Sequence, residues 1–218
     1  MKKFLPFALV FSFLLGMGLV MYFGQIHDSP TSDEPPHILS GYVFLRYGDN
    51  YIDTEHPLFA KSLAAVPLLI ASPKIDLTED NFTRQKYNVS VSAMFTFSQH
   101  FLNYQGNSPE QILFLTRLPM LLLTLFFGIV IFLLGSKLFG KATGALATFL
   151  YATEPIVLAN GPLVNTDIAA MGFTITTLYA LILYAQRQSP KRLAFLTLAF
   201  TAAILSKYST FFLFAIVI

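Results

Sequence analysis

The 218-residue chain is 55% hydrophobic and 12% charged, with 23 phenylalanines, a net charge of +2 and a mean hydropathy of +0.61, whereas soluble domains carry about 25% charged residues. That balance predicts an all-α polytopic membrane protein, and the scattered basic residues exclude the concentrated positive face of a nucleic-acid binder. With no cysteine there is no disulfide frame, thiolate metal site or cysteine nucleophile.

Residues 4–23 form an uncharged run, about the 20 residues that cross ~30 Å of hydrocarbon at ~1.5 Å per residue. Lys2 and Lys3 before it favour a cytoplasmic N-terminus. A cleaved signal peptide is the rival reading, but the run exceeds the usual ~7 to 15 apolar residues and GMGLVMYFGQ has no A-x-A pattern. Residues 24–110 then form a large polar loop on the outer side. Pro35 and Pro36 suit the first turn of a short amphipathic helix over residues 37–47, with Ile38, Tyr42 and Leu45 on one stripe and Gly48 as its stop. A second helix opening at Pro57 is too short to span, is broken by Pro67, and suits the membrane interface. Periodicity is lost over residues 72–107, where Asn81-Phe82-Thr83 and Asn88-Val89-Ser90 match the glycosylation sequon and are read as chance matches.

Further spans are expected at about 112–134, 142–159, 168–185 and 193–218, giving five in all. Lys137 and Lys141 fall in one connection and Arg187, Lys191 and Arg192 in another; both are cytoplasmic if the spans alternate from an inside N-terminus. The expected location is therefore a cell membrane, multi-pass, with the acidic first loop and the turn at residues 160–167 outside. The chain stops inside an apolar run, so it is expected to be the N-terminal piece of a longer protein and inactive by itself.

Residues 32–61 concentrate Asp33, Glu34, His37, Asp53, Glu55, His56 and Lys61 behind the first span. Asp33 or Glu34 can take a proton from a hydroxyl nucleophile within hydrogen-bond reach, or can cap the helix that Pro35 opens. His37, one turn on, is a candidate hydrogen-bond partner or metal ligand. Glu55 and His56 precede another helix start and are usable ligands for a divalent cation, although two residues do not make a coordination set. Lys61 is placed to snorkel to headgroups. Arg117 and Lys207 interrupt apolar spans, where an ionisable residue is a functional candidate; both can approach one phosphate near the outer surface, and Arg117 can alternatively snorkel. Asp167 is either a helix cap, with Thr166 as competitor, or a further site carboxylate. Glu154-Pro155 marks a kink.

Together, D-E-P-P-H-I-L-S-G-Y-V-F-L-R-Y-G-D at residues 33–49, E-H-P-L-F-A-K at 55–61, T-R-L-P at 116–119, N-T-D at 165–167 and S-K-Y-S at 206–209 resemble the N-terminal half of GT-C glycosyltransferases, closest to the protein O-mannosyltransferase-like group. The resemblance implies a membrane enzyme that moves a hexose or mannose-like sugar, with inversion, from a polyprenyl-phosphate carrier to the hydroxyl of a protein, lipid or glycan acceptor on the outer face. It implies Asp33 as general base and Glu34 beside it as an acceptor-holding residue. His37, His56, Lys61, Arg117, Asp167 and Lys207 are the expected substrate and lipid-phosphate contacts, and Glu55 matches an acid that binds metal in related aminoarabinose transferases. Those relatives carry a lysine where this chain has His56, and the usual E-H-P-P is cut to a single proline at Pro57. The competing function classes are a transporter component, which would need polar or broken helices near the midplane, and a non-catalytic assembly subunit.

Overall fold

A computed structural model describes residues 4–78 and 90–217; Lys2, Lys3 and most of both sequons lie outside the described residues. Helix α1 spans Leu5–Gln25, α2 Glu34–Tyr47, α3 Phe59–Ala65, α4 Leu68–Ala71, α5 Val91–Asn103, α6 Pro109–Phe139, α7 Lys141–Thr153, α8 Pro155–Asn160, α9 Asp167–Gln186, α10 Pro190–Ile204 and α11 Phe214–Val217. A 3-10 helix, Tyr208–Leu213, precedes α11. No strand occurs among the described residues, so the chain is all-α.

Among the described residues three helices, α1, α6 and α9, are long and apolar enough to cross a membrane. The other two expected spans are interrupted. Residues 142–159 divide into α7 and α8 at Glu154, whose extended backbone precedes Pro155, because a proline disfavours helical backbone in the residue before it. Residues 193–218 divide at Lys207, also extended. There Ser206 Oγ donates to the Ala202 carbonyl at 2.7 Å and Thr210 Oγ1 to the Ala203 carbonyl at 2.9 Å. Side-chain hydroxyls thus occupy carbonyls that a continuing helix would use.

α1, α6 and α7 pack together around Met17, Met21, Leu121, Phe127 and Ala152. α6 and α7 approach at small residues: a Cβ on Gly135 would lie 2.9 Å from the Gly144 Cα, the close approach that glycine permits between helices in lipid. α9 packs on α6 and pairs with α10.

The loop between α1 and α6 builds a second core. α2 is not amphipathic: every residue from Glu34 to Val43 is buried, because α3 covers one side and α5 another. Gly48, with φ 76°, donates its N–H to the Phe44 carbonyl and ends α2 in left-handed backbone, as expected of a C-terminal glycine. α3 buries Ala60, Lys61, Ala64 and Ala65, whereas Phe59, Val66, Leu69 and Ile70 of the same stretch stay exposed. The helix lies so close to α2 that a Cβ on Gly41 would stand 2.2 Å from the Lys61 carbonyl oxygen. The stretch lacking periodicity contains α5, capped by Ser90 Oγ on the Ala93 N–H. Its Met94, Phe97 and Phe101 fill the core with Ile38, Tyr42 and Ile52.

Candidate functional site

The polar groups of the first loop meet the ends of α1, α6, α9 and α10. Their positions begin with the two prolines of α2. A helix normally leaves its first N–H groups without partners, but Pro35 and Pro36 carry none, and the next, His37 N–H, donates to the Asp33 carbonyl at 3.3 Å. Asp33 makes no side-chain capping bond, and its carboxylate is exposed, touched among the described residues only by Ser32 Oγ at 3.2 Å. The capping alternative for this residue is therefore removed.

Glu34, next in sequence, points inward and is fully buried, as is Arg117 of α6. Arg117 Nε donates to Glu34 Oε1 at 2.8 Å and Nη2 to Oε2 at 2.6 Å. Nη1 donates to the carbonyls of Gln25 and Asp28 at 3.1 and 3.0 Å, and Nη2 to that of Ser29 at 3.1 Å. A guanidinium has five N–H donors, and all five are donated within the protein. Arg117 thus does not snorkel. Glu34 also accepts from the Thr31 N–H at 3.0 Å and the Val164 N–H at 3.1 Å. Burial pushes the Glu34 carboxyl up, but these hydrogen bonds and the guanidinium charge outweigh it and hold it below its ordinary value.

A second cluster centres on Asp53, to which sequence reasoning gave no role. His37 Nδ1 lies 2.8 Å and Lys61 Nζ 2.5 Å from Asp53 Oδ2. Lys61 Nζ donates further to the carbonyls of Asp53 at 3.0 Å and His56 at 2.9 Å. Its three N–H groups therefore close the loop 53–56 onto α3, and the side chain, expected to snorkel, is 1% exposed. Burial raises the Asp53 pKa, yet the His37 hydrogen bond and the Lys61 charge drive it far below the usual carboxylate range. For Lys61 burial prevails over Asp53, and its pKa falls below the ordinary lysine value.

His56 joins this cluster to the far end of the chain. Its ring centroid is 6.0 Å from that of His37. Burial, then the charges of His37, Lys207 and Lys61, lower its pKa. Phe59 N–H donates to the Leu205 carbonyl at 3.2 Å, fixing the start of α3 on the end of α10, and Lys207 Nζ pairs with Asp167 Oδ1. Thr166 stands at the N-cap of α9, but neither its side chain nor that of Asp167 makes the capping bond. Asn165 Oδ1 accepts from the N–H groups of Asp167 and Ile168 at 3.1 and 3.3 Å, leaving the Asp167 carboxylate free for Lys207.

The structure thus brings His37, His56, Lys61, Asp167 and Lys207 to one end of the helices, with Glu34 and Arg117 locked beneath Asp33. Glu55 stays exposed and contributes its N–H to Asp53 Oδ1 at 3.1 Å. Among the described residues no three His, Cys, Asp or Glu side chains converge to hold a metal ion; the residues around Glu55 do not fit such a group.

Site and fold define a helical membrane protein with a cluster of ionic side chains where its first loop meets the spans. The family model for dolichyl-phosphate-mannose-protein mannosyltransferases matches residues 109–218, from α6 onward. The chain belongs to that family, of mannosyltransferase-type glycosyltransferases. No curated protein and no solved structure matches the chain.

Proposed function

We propose that the chain takes part in inverting sugar transfer from a polyprenyl-phosphate carrier, such as dolichyl-phosphate mannose, to an acceptor hydroxyl, with Asp33 as general base. The observation carrying this reading is the Asp33 carboxylate, released from capping by Pro35 and Pro36 and left exposed above the buried Glu34–Arg117 pair. The acceptor oxygen attacks C1 of the sugar from the side opposite the phosphate, the C1–O(phosphate) bond breaks, and the electron pair leaves on polyprenyl phosphate. Asp33 takes the hydroxyl proton.

Charge developing on the phosphate needs cations in a dry setting. Lys207 supplies one: it is partly exposed and can exchange its exposed partner Asp167 for phosphate, while His56, whose lowered pKa favours the neutral ring, offers a hydrogen bond beside it. Lys137, Lys141, Arg187, Lys191 and Arg192 lie at the helix ends remote from the site, which by the positive-inside tendency supports a site on the outer side of a cell membrane. The transporter reading is disfavoured by the same geometry, since the ionic groups gather at one end of the helices. The test is transfer of mannose from dolichyl-phosphate mannose to a serine- or threonine-containing peptide by the full-length protein in proteoliposomes. Asp33→Asn should abolish transfer while membrane insertion is retained. Transfer at the wild-type rate by that variant removes Asp33 as the base.

A further inference from the structure

We infer that Arg117 and Glu34 contact neither sugar nor phosphate: they are positioning residues that clamp four segments onto α6 and so fix Asp33. The resemblance expects Arg117 close to the carrier phosphate or to the acid site; at the phosphate a guanidinium would need free N–H groups facing the ligand. It has none. Its five donors are spent on Glu34 and on the carbonyls of Gln25, Asp28 and Ser29, and the side chain is 1% exposed.

The bonds run from α6 to the end of α1, to the 28–31 linker, to the start of α2 and, through Glu34 and the Val164 N–H, to the turn that presents Asp167. Asp33 is joined to this clamp by one peptide bond; its carbonyl accepts from the His37 N–H, and among the described residues its carboxylate meets Ser32 Oγ alone. Releasing the clamp would free the start of α2 and the 161–166 turn together. A misplaced base slows proton removal even where donor binding persists, because rate depends on near-attack geometry. Arg117 and Lys207 consequently divide the labour: one holds the protein, the other meets the donor.

The inference rests on the transferase reading for its kinetic arm only. Removing one partner strands a buried charge, so the variant of choice is the pair Glu34→Gln/Arg117→Met, which removes both. Dolichyl-phosphate mannose binding to the full-length protein should stay within about twofold of wild type, while kcat, counted per bound donor so that misfolded protein is excluded, should fall by about tenfold or more. Adding Asp33→Asn to this pair should cost no more than Asp33→Asn alone, since residues acting through one group are not additive. Donor affinity about tenfold weaker, unchanged kcat, or full additivity overturns the inference. A second arm uses the wild-type protein and needs no variant to fold. Phenylglyoxal, followed by peptide mapping, should leave Arg117 unmodified with or without donor; modification that donor blocks overturns the inference. If Asp33→Asn retains transfer, the base assignment fails while the phenylglyoxal arm still decides whether Arg117 is a closed clamp.

Discussion

Replacing Asp53 with asparagine keeps the shape of the side chain and removes the charge around which the second cluster is built. Lys61 then keeps two carbonyl acceptors at 3.0 and 2.9 Å but loses the carboxylate at 2.5 Å, and His37 loses its ionic partner. Breaking a buried pair by removing one partner costs about 3–5 kcal/mol. At ~1.4 kcal/mol per tenfold, that is a loss of more than a hundredfold in the folding equilibrium. The pH dependence has a defined sign. Asp53 titrates lower when folded, so its contribution is present above the unfolded carboxylate value and is lost as pH falls below the ordinary range. Lys61 is also depressed; its protonated form is the costly one, and in Asp53→Asn the penalty should ease as pH rises through its lowered folded pKa. The assay is chemical unfolding of the full-length protein in detergent across pH, comparing Asp53→Asn, Lys61→Met and the double variant. Removing both charges should cost less than removing Asp53 alone. A loss under about 1 kcal/mol for Asp53→Asn, or additive costs in the double variant, refutes the reasoning.

Gly41→Ala places a methyl 2.2 Å from the Lys61 carbonyl, so α2 and α3 must separate; overpacking of this kind costs about 1–3 kcal/mol, read as a lowered unfolding midpoint, and an unchanged midpoint refutes the close approach. Ser90→Ala removes the cap of α5 and should cost about 1 kcal/mol, measured by unfolding together with protease resistance of residues 91–103. Lys207→Met should weaken dolichyl-phosphate mannose binding about tenfold or more through loss of a charge-assisted contact. Its stability should barely change, because the Asp167 partner is largely exposed and such pairs contribute little.

The fold class was legible because hydropathy, which needs no tertiary information, marks α1, α6 and α9 directly. Proline and glycine punctuation exposed α2 and the break before Pro155. Helix α5 went unread because Ser92, Thr96, Ser98 and Gln99 dilute its apolar stripe, although Ser90 with Met94, Phe97 and Phe101 was the signal present. The burial of α2 on all sides depends on α3 and α5 folding over it, which no local periodicity encodes. Within the site, the polar stretch at residues 32–61 stood out by composition alone. The partners did not: Asp53 binds His37 and Lys61 from opposite directions, and Glu34 meets residues 83 and 130 positions away, Arg117 and Val164. Arg117 looked like a ligand because an arginine in an apolar helix implies a partner, and sequence cannot tell a carboxylate of the same chain from a phosphate.

The central claim is that the exposed Asp33 carboxylate, rather than its buried neighbour, removes the acceptor proton. The most direct measurement is single-turnover mannose transfer from dolichyl-phosphate mannose by full-length Asp33→Asn, in protein shown to bind the donor with wild-type affinity. Loss of at least about a hundredfold in the transfer step, within the ~10²–10⁴ that a general base contributes, is the expected result. Transfer at the wild-type rate with donor bound would contradict it.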